Sequence, residues 1–294
     1  HKFRVIPREG GELEWKKVRD LRKGDMIPYD LGSYERVAKN NPLQELKEIQ
    51  EKIAPNARKI NQPSLLTEDI AWFLGMYIGD GSNHKKGIRI NGGLKKKEKL
   101  DKVSKILLEN FNIQSSLLVD RETRLVLYAS STTFLKWLKV NDLLKEKSLS
   151  AKIPLIIRKS PPHVLRAFIE GFWAADGSSQ YLRPELKTFC TTSKVLAEQL
   201  IVCLRALGEC CSVRLMPPTE SSFGTNMRYY ISVNKGWKGD FRIRTDAKWY
   251  KILKKQGMEY YCPDIISNIE DSECDTYDIE VPKNHAYVAN SYIS

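Results

Sequence analysis

The sequence predicts an α+β fold built from two similar half-domains that meet through a pair of helices. A segment near residue 75 recurs 96 residues later, and each copy is followed by the same order of strand-like and helix-like segments. Small residues also recur every four positions in both copies, which places them on one face of a helix. Such stripes let two helix backbones approach closely, so we expect a central two-helix interface.

The composition is that of a globular protein, with 41% apolar and 29% charged residues among 294. The longest apolar stretch, Ile70 to Gly79, is about half of what a membrane-spanning helix needs. No signal-like segment follows the N-terminus, and the six cysteines contain no C-x-x-C pair. We therefore expect a soluble, intracellular protein with reduced thiols, cytoplasmic or nucleoid-associated and without a membrane partner.

The formal net charge is +12, and part of the excess is concentrated between Lys85 and Lys105. Nine basic residues lie in that segment against only Glu98 and Asp101. This density of positive charge favours a polyanionic partner. A solvated, lysine-rich helix face remains an equally good interpretation of the lysine run by itself.

The repeat predicts two helices with marked ends. Residues 71–81 read AWFLGMYIGDG and residues 167–177 read AFIEGFWAADG. Thr67 is expected to cap the first helix and Ser160, before Pro161, the second, while Gly81 and Gly177 are expected to end them in the left-handed conformation. The predicted interface residues are Ala71, Gly75, Gly79, Ala167, Gly171 and Ala175. The predicted core residues of these helices are Trp72, Phe73, Tyr77, Phe172 and Trp173.

Asp80 and Asp176 occupy matching positions at the ends of the two predicted helices. Side-by-side packing would bring both carboxylates to helix C-termini, which already carry partial negative charge. With the carbonyls of Gly79 and Ala175 they would form a hard-oxygen site that selects magnesium or calcium. A single Asp-Gly pair is more often only a helix-ending turn, but its duplication favours a shared cation site.

Each half is expected to follow the order αββαββα. The predicted elements of the first half, after its motif helix, are strands at 87–91, 115–120 and 124–129 and helices at 95–111 and from 133. Those of the second half are strands around 180 and at 186–191, 212–215 and 228–233, with helices at 194–207 and near 248. A further amphipathic helix is expected over Pro42 to Ile53.

The paired segments FLGMYIGDG and IEGFWAADG resemble the motifs of the LAGLIDADG homing endonucleases in their single-chain, pseudo-symmetric form. The resemblance covers about residues 65–255. It implies saddle-shaped antiparallel sheets that straddle DNA, and motif aspartates that bind divalent metal. It also implies a monomer that hydrolyses both strands of a long, specific duplex site across the minor groove, using Mg²⁺, with Mn²⁺ or Ca²⁺ able to replace it for binding.

Two lysines preserve the repeat, because Lys152 lies 72 residues after Asp80 and Lys248 lies 72 residues after Asp176. Lys152 stands in a Lys-Ile-Pro segment that resembles the one that intein-borne members place before the second motif, where the lysine is a basic active-site residue. Both lysines are therefore expected to stabilise charge on the phosphate or to orient water. For Lys248, an exposed surface lysine is an equally good interpretation.

The flanks resemble segments of the Hint fold, which carries out protein splicing. Residues 15–25 resemble its L-x-x-G-D stretch, and His1 falls where that family has an assisting histidine. Asp278 and His285 match polar catalytic positions near the C-terminal splice junction, although turn and core residues of ordinary strands are the alternative. The sequence has no N-terminal Cys or Ser nucleophile, nothing precedes His1, and it ends without a terminal His-Asn, so it is not expected to splice as it stands.

These observations predict five segments and a set of DNA contacts. The segments are a Hint-like part (1–31), a linker or accessory DNA-contact segment (32–64), two endonuclease halves (65–160 and 161–255) and a second Hint-like part (256–294), the two Hint-like parts forming a small all-β partial Hint subdomain. Alternation along the strands nominates sheet residues for base contacts, namely Arg89, Arg124, Lys187, Arg214 and Arg228. Other basic residues are assigned to DNA, chiefly to its phosphates, namely Lys85, Lys86, Lys95 and Lys96.

The leading prediction is a magnesium-dependent, sequence-specific double-strand DNA endonuclease derived from an intein. One alternative is a protein-splicing element with degenerate ends. Another is a maturase-like module that binds DNA or RNA without cutting it. Retention of both aspartates favours the enzyme.

Overall fold

The computed structural model describes residues 2–9, 11–55, 57–120, 124–145, 147–180, 183–218, 225–234, 248–258, 261–265, 288–289 and 292–293. The helices are α1 (Ser33–Val37), α2 (Glu68–Asp80), α3 (Lys97–Phe111), α4 (Thr132–Val140), α5 (Leu155–Arg158), α6 (Pro162–Asp176), α7 (Lys194–Ala206) and α8 (Lys248–Lys255). The strands are β1 (Lys2–Val5), β2 (Glu14–Lys17), β3 (Met26–Asp30), β4 (Gly81–His84), β5 (Gly87–Gly93), β6 (Ser116–Asp120), β7 (Arg124–Ser130), β8 (Gly177–Gln180), β9 (Arg183–Thr191), β10 (Cys211–Met216), β11 (Arg228–Asn234), β12 (Tyr261–Ile265), β13 (Val288–Ala289) and β14 (Tyr292–Ile293).

The chain divides into two units. The larger comprises Val37–Cys203 and Cys211–Trp237, and the smaller comprises His1–Arg36, Leu204–Cys210 and Lys238–Ser294. In the larger unit, two four-stranded antiparallel sheets have the orders β4-β5-β7-β6 and β8-β9-β11-β10. Each sheet begins with the strand that directly follows a motif helix, α2 or α6. The expected α+β class with antiparallel sheets is thus confirmed.

Aromatic packing fixes α2 within the first half of the larger unit. Phe73, Phe111, Phe134 and Trp137 are fully buried. The ring centroids of Phe111 lie 4.8 Å from Phe134 and 4.9 Å from Trp137, both edge to face. Burial of these large rings anchors α2 against α3 and α4, so the end of α2 is held by the core.

The smaller unit draws on both ends of the chain. Its four-stranded sheet has the order β12-β3-β14-β13, and β1 pairs with β2. Asp25 is buried and accepts hydrogen bonds from the backbone N–H groups of Arg8 and Arg22 and from the ammonium group of Lys16. Ile6 and Leu253 form part of one apolar cluster in this unit. The helix α8, expected as the last element of the second endonuclease half, therefore belongs to the smaller unit.

The helix expected over Pro42 to Ile53 is absent from this described segment, whose regular structure is limited to an isolated bridge from Glu45 to Leu65. The Leu46 N–H donates to Ser64 O at 2.8 Å, and the side chain of Asn141 both accepts from Lys47 N at 2.7 Å and donates to Lys47 O at 3.0 Å. These partners satisfy the backbone groups that a helix would have used internally. Of the apolar residues whose spacing predicted the helix, only Leu46 is buried.

The helix ends are partly as predicted. Thr67 caps α2, because its Oγ1 accepts from Ile70 N at 3.4 Å. Ser160 does not cap α6, since Pro161 is the N-cap and the Ser160 hydroxyl donates to Ile156 O at 2.8 Å. Gly81 and Gly177 have φ of −85° and −90°, so the left-handed conformation expected for them was wrong. They are small for steric reasons, because a Cβ would lie 2.3 Å from the carbonyl oxygen of Tyr77 or of Trp173.

Among the described residues, the helices are all too short or too polar to cross a membrane. Cys190, Cys203, Cys210 and Cys211 form no disulfide bond. His1, Asp278 and His285, named above for their resemblance to splicing residues, lie outside the described residues.

Candidate active site

The two motif helices approach each other through their glycines. A Cβ on Gly75 would lie 2.1 Å from the carbonyl oxygen of Phe168, and one on Gly171 would lie 2.0 Å from that of Trp72. No side chain larger than hydrogen fits at such distances. Of all pairs of described elements, α2 and α6 share the most extensive contact. The two stripes of small residues therefore place the backbones of the helices in direct contact.

This contact continues to the C-terminal ends of the helices, where both aspartates lie. A Cβ on Gly79 would lie 2.4 Å from the Cβ of Ala175 and 3.4 Å from Oδ2 of Asp176. The Asp176 carboxyl group of α6 thus lies against the last turn of α2. Two carboxyl groups and the free carbonyls of two helix ends are concentrated in one place, which makes the site strongly electronegative.

Three lysines that the repeat does not reveal compensate this charge. The ammonium group of Lys96 lies 2.7 Å from Oδ2 of Asp80 and donates to Ala175 O at 2.6 Å, so it bridges the two helix ends. Lys145 donates to Gly79 O at 2.7 Å. Lys99 donates to Ala174 O at 2.9 Å. Lys96 was expected on the phosphates, and neither Lys99 nor Lys145 was identified from the sequence.

The pKa values show how unfavourable this concentration of charge is. Burial raises the pKa of Asp176 to about 6, and the negative charge of Asp80 adds to the effect. Burial also raises the pKa of Asp80, although the ion pair with Lys96 opposes the increase. For Lys145, burial lowers the pKa and the two aspartates oppose the decrease. An additional cation would therefore favour the ionised form of Asp176.

The donor set suits a hard divalent cation. It consists of the carboxylates of Asp80 and Asp176 with the carbonyl oxygens of Gly79 and Ala175. Within the described part of the chain, no group of three or more His, Cys, Asp or Glu side chains is arranged to hold a metal. Such an ion would therefore need the helix-end carbonyls, water or phosphate oxygens to complete its ligands. Three of these four groups already accept a hydrogen bond from a lysine ammonium group, which demonstrates their attraction for cations.

A hydrogen-bonded ring holds the backbone of Lys145 in place. Its N–H donates to the hydroxyl oxygen of Tyr77 at 3.1 Å, and its carbonyl accepts from Nδ2 of Asn83. The Tyr77 hydroxyl in turn donates to Oδ1 of Asn83. Tyr77 was expected to be an ordinary core residue, and no spacing in the sequence links it to residue 145.

The two lysines selected from the repeat are both exposed. Lys152 forms an ion pair with Asp142 at 3.5 Å and lines a cavity of about 180 Å³ that Lys145 also lines. Lys248 lies on α8 in the smaller unit. The active-site roles expected from the spacing of 72 residues stay predictions for both lysines.

Most of the basic residues nominated for base contacts lie on one face of each sheet. Arg89 is exposed on β5 beside Ser82 and Tyr128, and Arg124 is exposed on β7 beside Gly93. Arg214 is exposed opposite Tyr230 in the second sheet. These side chains leave an open polar surface on each sheet.

The remaining nominees differ from this pattern. Lys187 pairs with Val233 on the buried face of its sheet, and its ammonium group lies 3.9 Å from the ring centroid of Trp173. Arg228 shares the face of Arg214, but it is half-buried and its guanidinium lies 6.0 Å from the ring centroid of Tyr230. Lys85 and Lys86 are exposed, whereas the side chain of Lys95 lies outside the described residues.

No protein-family model matches the chain. The chain is 24% identical over 231 residues to a protein of the A-type ATP synthase of Pyrococcus abyssi, covering 78% of this chain and 21% of that protein. It is 24% identical over 213 residues to the replication factor C small subunit of Methanocaldococcus jannaschii, covering 71% of this chain and 10% of that protein. The chain thus spans about a fifth or less of the relatives that it matches.

Among solved structures, the mesophilic variants of the homing endonuclease I-DmoI are 19% identical at a TM-score of 0.41, covering 64% of this chain and 96% of theirs. I-DmoI in complex with DNA and Mn is 21% identical at the same TM-score of 0.41, covering 63% and 96%. Full-length DUF199/WhiA from Thermatoga maritima is 10% identical at a TM-score of 0.37, covering 69% and 62%. The functional conclusion therefore rests on the geometry of the site.

Proposed function

We propose that the chain is a divalent-metal-dependent endonuclease, derived from an intein, that cuts both strands of double-stranded DNA at a long, specific site. One observation carries the proposal: Asp80 and Asp176 end two helices in backbone contact, beside the ammonium groups of Lys96 and Lys145. Carboxylates and ammonium groups together suit metal-assisted phosphodiester hydrolysis, since the carboxylates can hold the cation and the ammonium groups can neutralise the phosphate.

The metal would be held by the carboxylates of Asp80 and Asp176 with the helix-end carbonyls of Gly79 and Ala175. When bound, Mg²⁺ supplies polarisation of the scissile phosphate and an activated water. A bound metal would compete with the ammonium groups of Lys96 and Lys145 for the same carbonyl and carboxylate oxygens. Displaced from these oxygens, the two lysines would turn towards the phosphate, where they would stabilise the charge of the transition state.

The open sheet faces supply the DNA-binding surface in this proposal. Arg89, Arg124 and Arg214 are exposed on polar faces of the two sheets. Paired arginines on an extended sheet suit base edges in the major groove, while the lysines near residue 85 suit phosphates. Sheet binding on both sides of the helix pair would place the aspartates over the intervening minor groove. A monomer acts in this scheme, because one chain supplies both motifs.

The origin from an intein is supported by two observations. The smaller unit is assembled from the two ends of the chain, with β3 paired to both β12 and β14. Such a unit is what insertion of one domain into another produces. In addition, the two relatives have unrelated names and match through 21% and 10% of their lengths, as expected of an element carried by different host proteins.

The test is selection of cleaved sites from a plasmid library that carries randomised sequence, using the full chain in Mg²⁺. The proposal expects a defined family of sites, cut on both strands, and no cleavage in EDTA. Asp80→Asn should not cut the DNA under the same conditions, and Asp69→Asn is its matched control, because the exposed Asp69 carboxylate lies at the opposite end of α2. Site-specific retention of DNA in Mg²⁺ without cleavage would favour the alternative of a binding module instead.

A further inference from the structure

Tyr77 places a polar group where packing alone would not need one. Its side chain is fully buried on α2, three residues before Asp80. Its hydroxyl takes part in two hydrogen bonds, accepting from the backbone N–H of Lys145 and donating to Oδ1 of Asn83. The Asn83 amide then donates to the carbonyl of Lys145, so that a ring of three residues closes. The ring joins α2, β4 and the irregular segment that contains Lys145.

Lys145 needs such support because of where it lies. Residues 143–145 belong to no helix or strand, yet Lys145 is only 6% exposed. A buried lysine in an irregular segment has no ladder of backbone hydrogen bonds to fix its position. Both of its backbone polar groups are instead bound by the ring, while its ammonium group reaches Gly79 O at 2.7 Å. Tyr77 and Gly79 O both lie at the C-terminal end of α2. The ring therefore holds the backbone of Lys145 at a fixed distance from the oxygen that its ammonium group reaches.

The ring is specific to the first half. The repeat aligns Tyr77 with Trp173 and Asn83 with Ser179. An indole has neither the shape nor the acceptor of a phenol hydroxyl. The ring of Trp173 instead lies 3.9 Å from the ammonium group of Lys187. The shared fold of the two halves would not by itself require the phenol and the carboxamide at positions 77 and 83.

We infer that Tyr77 and Asn83 are positioning residues, which hold the backbone of Lys145 so that its ammonium group faces the paired aspartates. The inference rests on the proposed nuclease function, in which Lys145 neutralises phosphate charge. Neither residue touches the reacting atoms. Their effect on cleavage is through Lys145 alone.

Tyr77→Phe tests this, because it removes the hydroxyl and keeps the ring. We expect kcat for cleavage of the selected DNA to fall about 10- to 100-fold, the range for a misplaced catalytic group, with little change in KM. In a Lys145→Ala background the same change should have no further effect. Tyr250→Phe is the matched control, since it removes a phenol hydroxyl from a half-buried residue of α8 in the smaller unit, and it should leave kcat unchanged.

A second measurement does not depend on cleavage. Reductive methylation followed by mass spectrometry reports the rate at which Lys145 is modified, and we expect Tyr77→Phe and Asn83→Ala to increase it several-fold relative to Tyr250→Phe. Unchanged modification in both variants would overturn the ring as the support of Lys145. Faster modification with unchanged kcat would overturn its role in cleavage. Failure of the parent protein to cut any DNA would overturn the proposed function, and the catalytic part of this inference with it.

Discussion

The replacement Gly75→Ala tests the helix contact on which the site depends. The added methyl group would lie 2.1 Å from Phe168 O and 2.5 Å from Phe172 N, both backbone atoms of α6. Ordinary contact begins near 3.4 Å, so the helices must separate by more than an ångström. In an isolated helix the same change would stabilise by about 1 kcal/mol. Overpacking against backbone atoms costs about 3 kcal/mol, the upper end of the usual range, and outweighs that gain, because a backbone cannot move aside as a side chain can.

The assay is urea unfolding followed by circular dichroism, with Gly93→Ala as the matched control. Nothing lies within 4 Å of a Cβ on Gly93, and its φ of −80° suits alanine. We expect Gly75→Ala to lower the free energy of unfolding by about 2 kcal/mol, which is an overpacking cost of about 3 kcal/mol less the helix gain of about 1 kcal/mol, and Gly93→Ala to leave it within about 0.5 kcal/mol. Equal stability of the two variants would refute the close approach of α2 and α6.

Three other changes probe the charges and caps. Lys96→Ala should lower kcat for cleavage about 100-fold, as loss of a transition-state hydrogen-bond donor does. Lys97→Ala, which changes an exposed neighbour, should leave kcat unchanged. Equal rates for the two variants would refute the role of Lys96. Asp25→Asn should lower the urea midpoint. Burial raises the pKa of the Asp25 carboxyl group, but hydrogen bonds from Arg22 and Lys16 bring this pKa below 3.8, so the ionised group stabilises the fold above that pH and stops doing so as the pH falls further. If the variant lost stability in acid just as the parent protein does, this role of Asp25 would be contradicted. Thr67→Ala should cost about 1 kcal/mol in thermal unfolding and Thr67→Ser almost nothing; equal losses would exclude the cap.

Sequence patterns predicted the parts of the fold that depend on local spacing. The positions of Gly75 and Gly171 follow from a period of four, and a backbone contact follows from the size of glycine. Apart from β4, which was not predicted, the strands of the two four-stranded sheets in the larger unit lie close to their predicted bounds, because alternation and turn residues are local signals. Gly81 was identified for the wrong reason: its neighbour Tyr77, and not a positive φ, excludes a Cβ.

The charged groups of the site were less predictable, because tertiary folding brings them together. Lys145 reaches Gly79 across 66 positions, and nothing in its immediate sequence distinguishes it from Lys147. Lys96 lies in a run of lysines, and no local signal marks it as the one that pairs with Asp80. The negative charge predicted at the two helix ends itself indicated that cationic side chains would bind there, although it did not indicate which lysines these would be. The helix predicted over 42–53 was wrong for the same reason, since the hydrogen bonds of its backbone go to Asn141, which is distant in the sequence.

The central claim is that Asp80 and Asp176 act together in a single metal-dependent site. The most direct measurement is cleavage of each strand of the selected DNA in Mg²⁺ by the parent protein, Asp80→Asn and Asp176→Asn, with binding measured separately in Ca²⁺. We predict that each variant binds the DNA but has lost hydrolysis of both strands. Cutting of both strands by either variant at the rate of the parent protein would contradict the shared site.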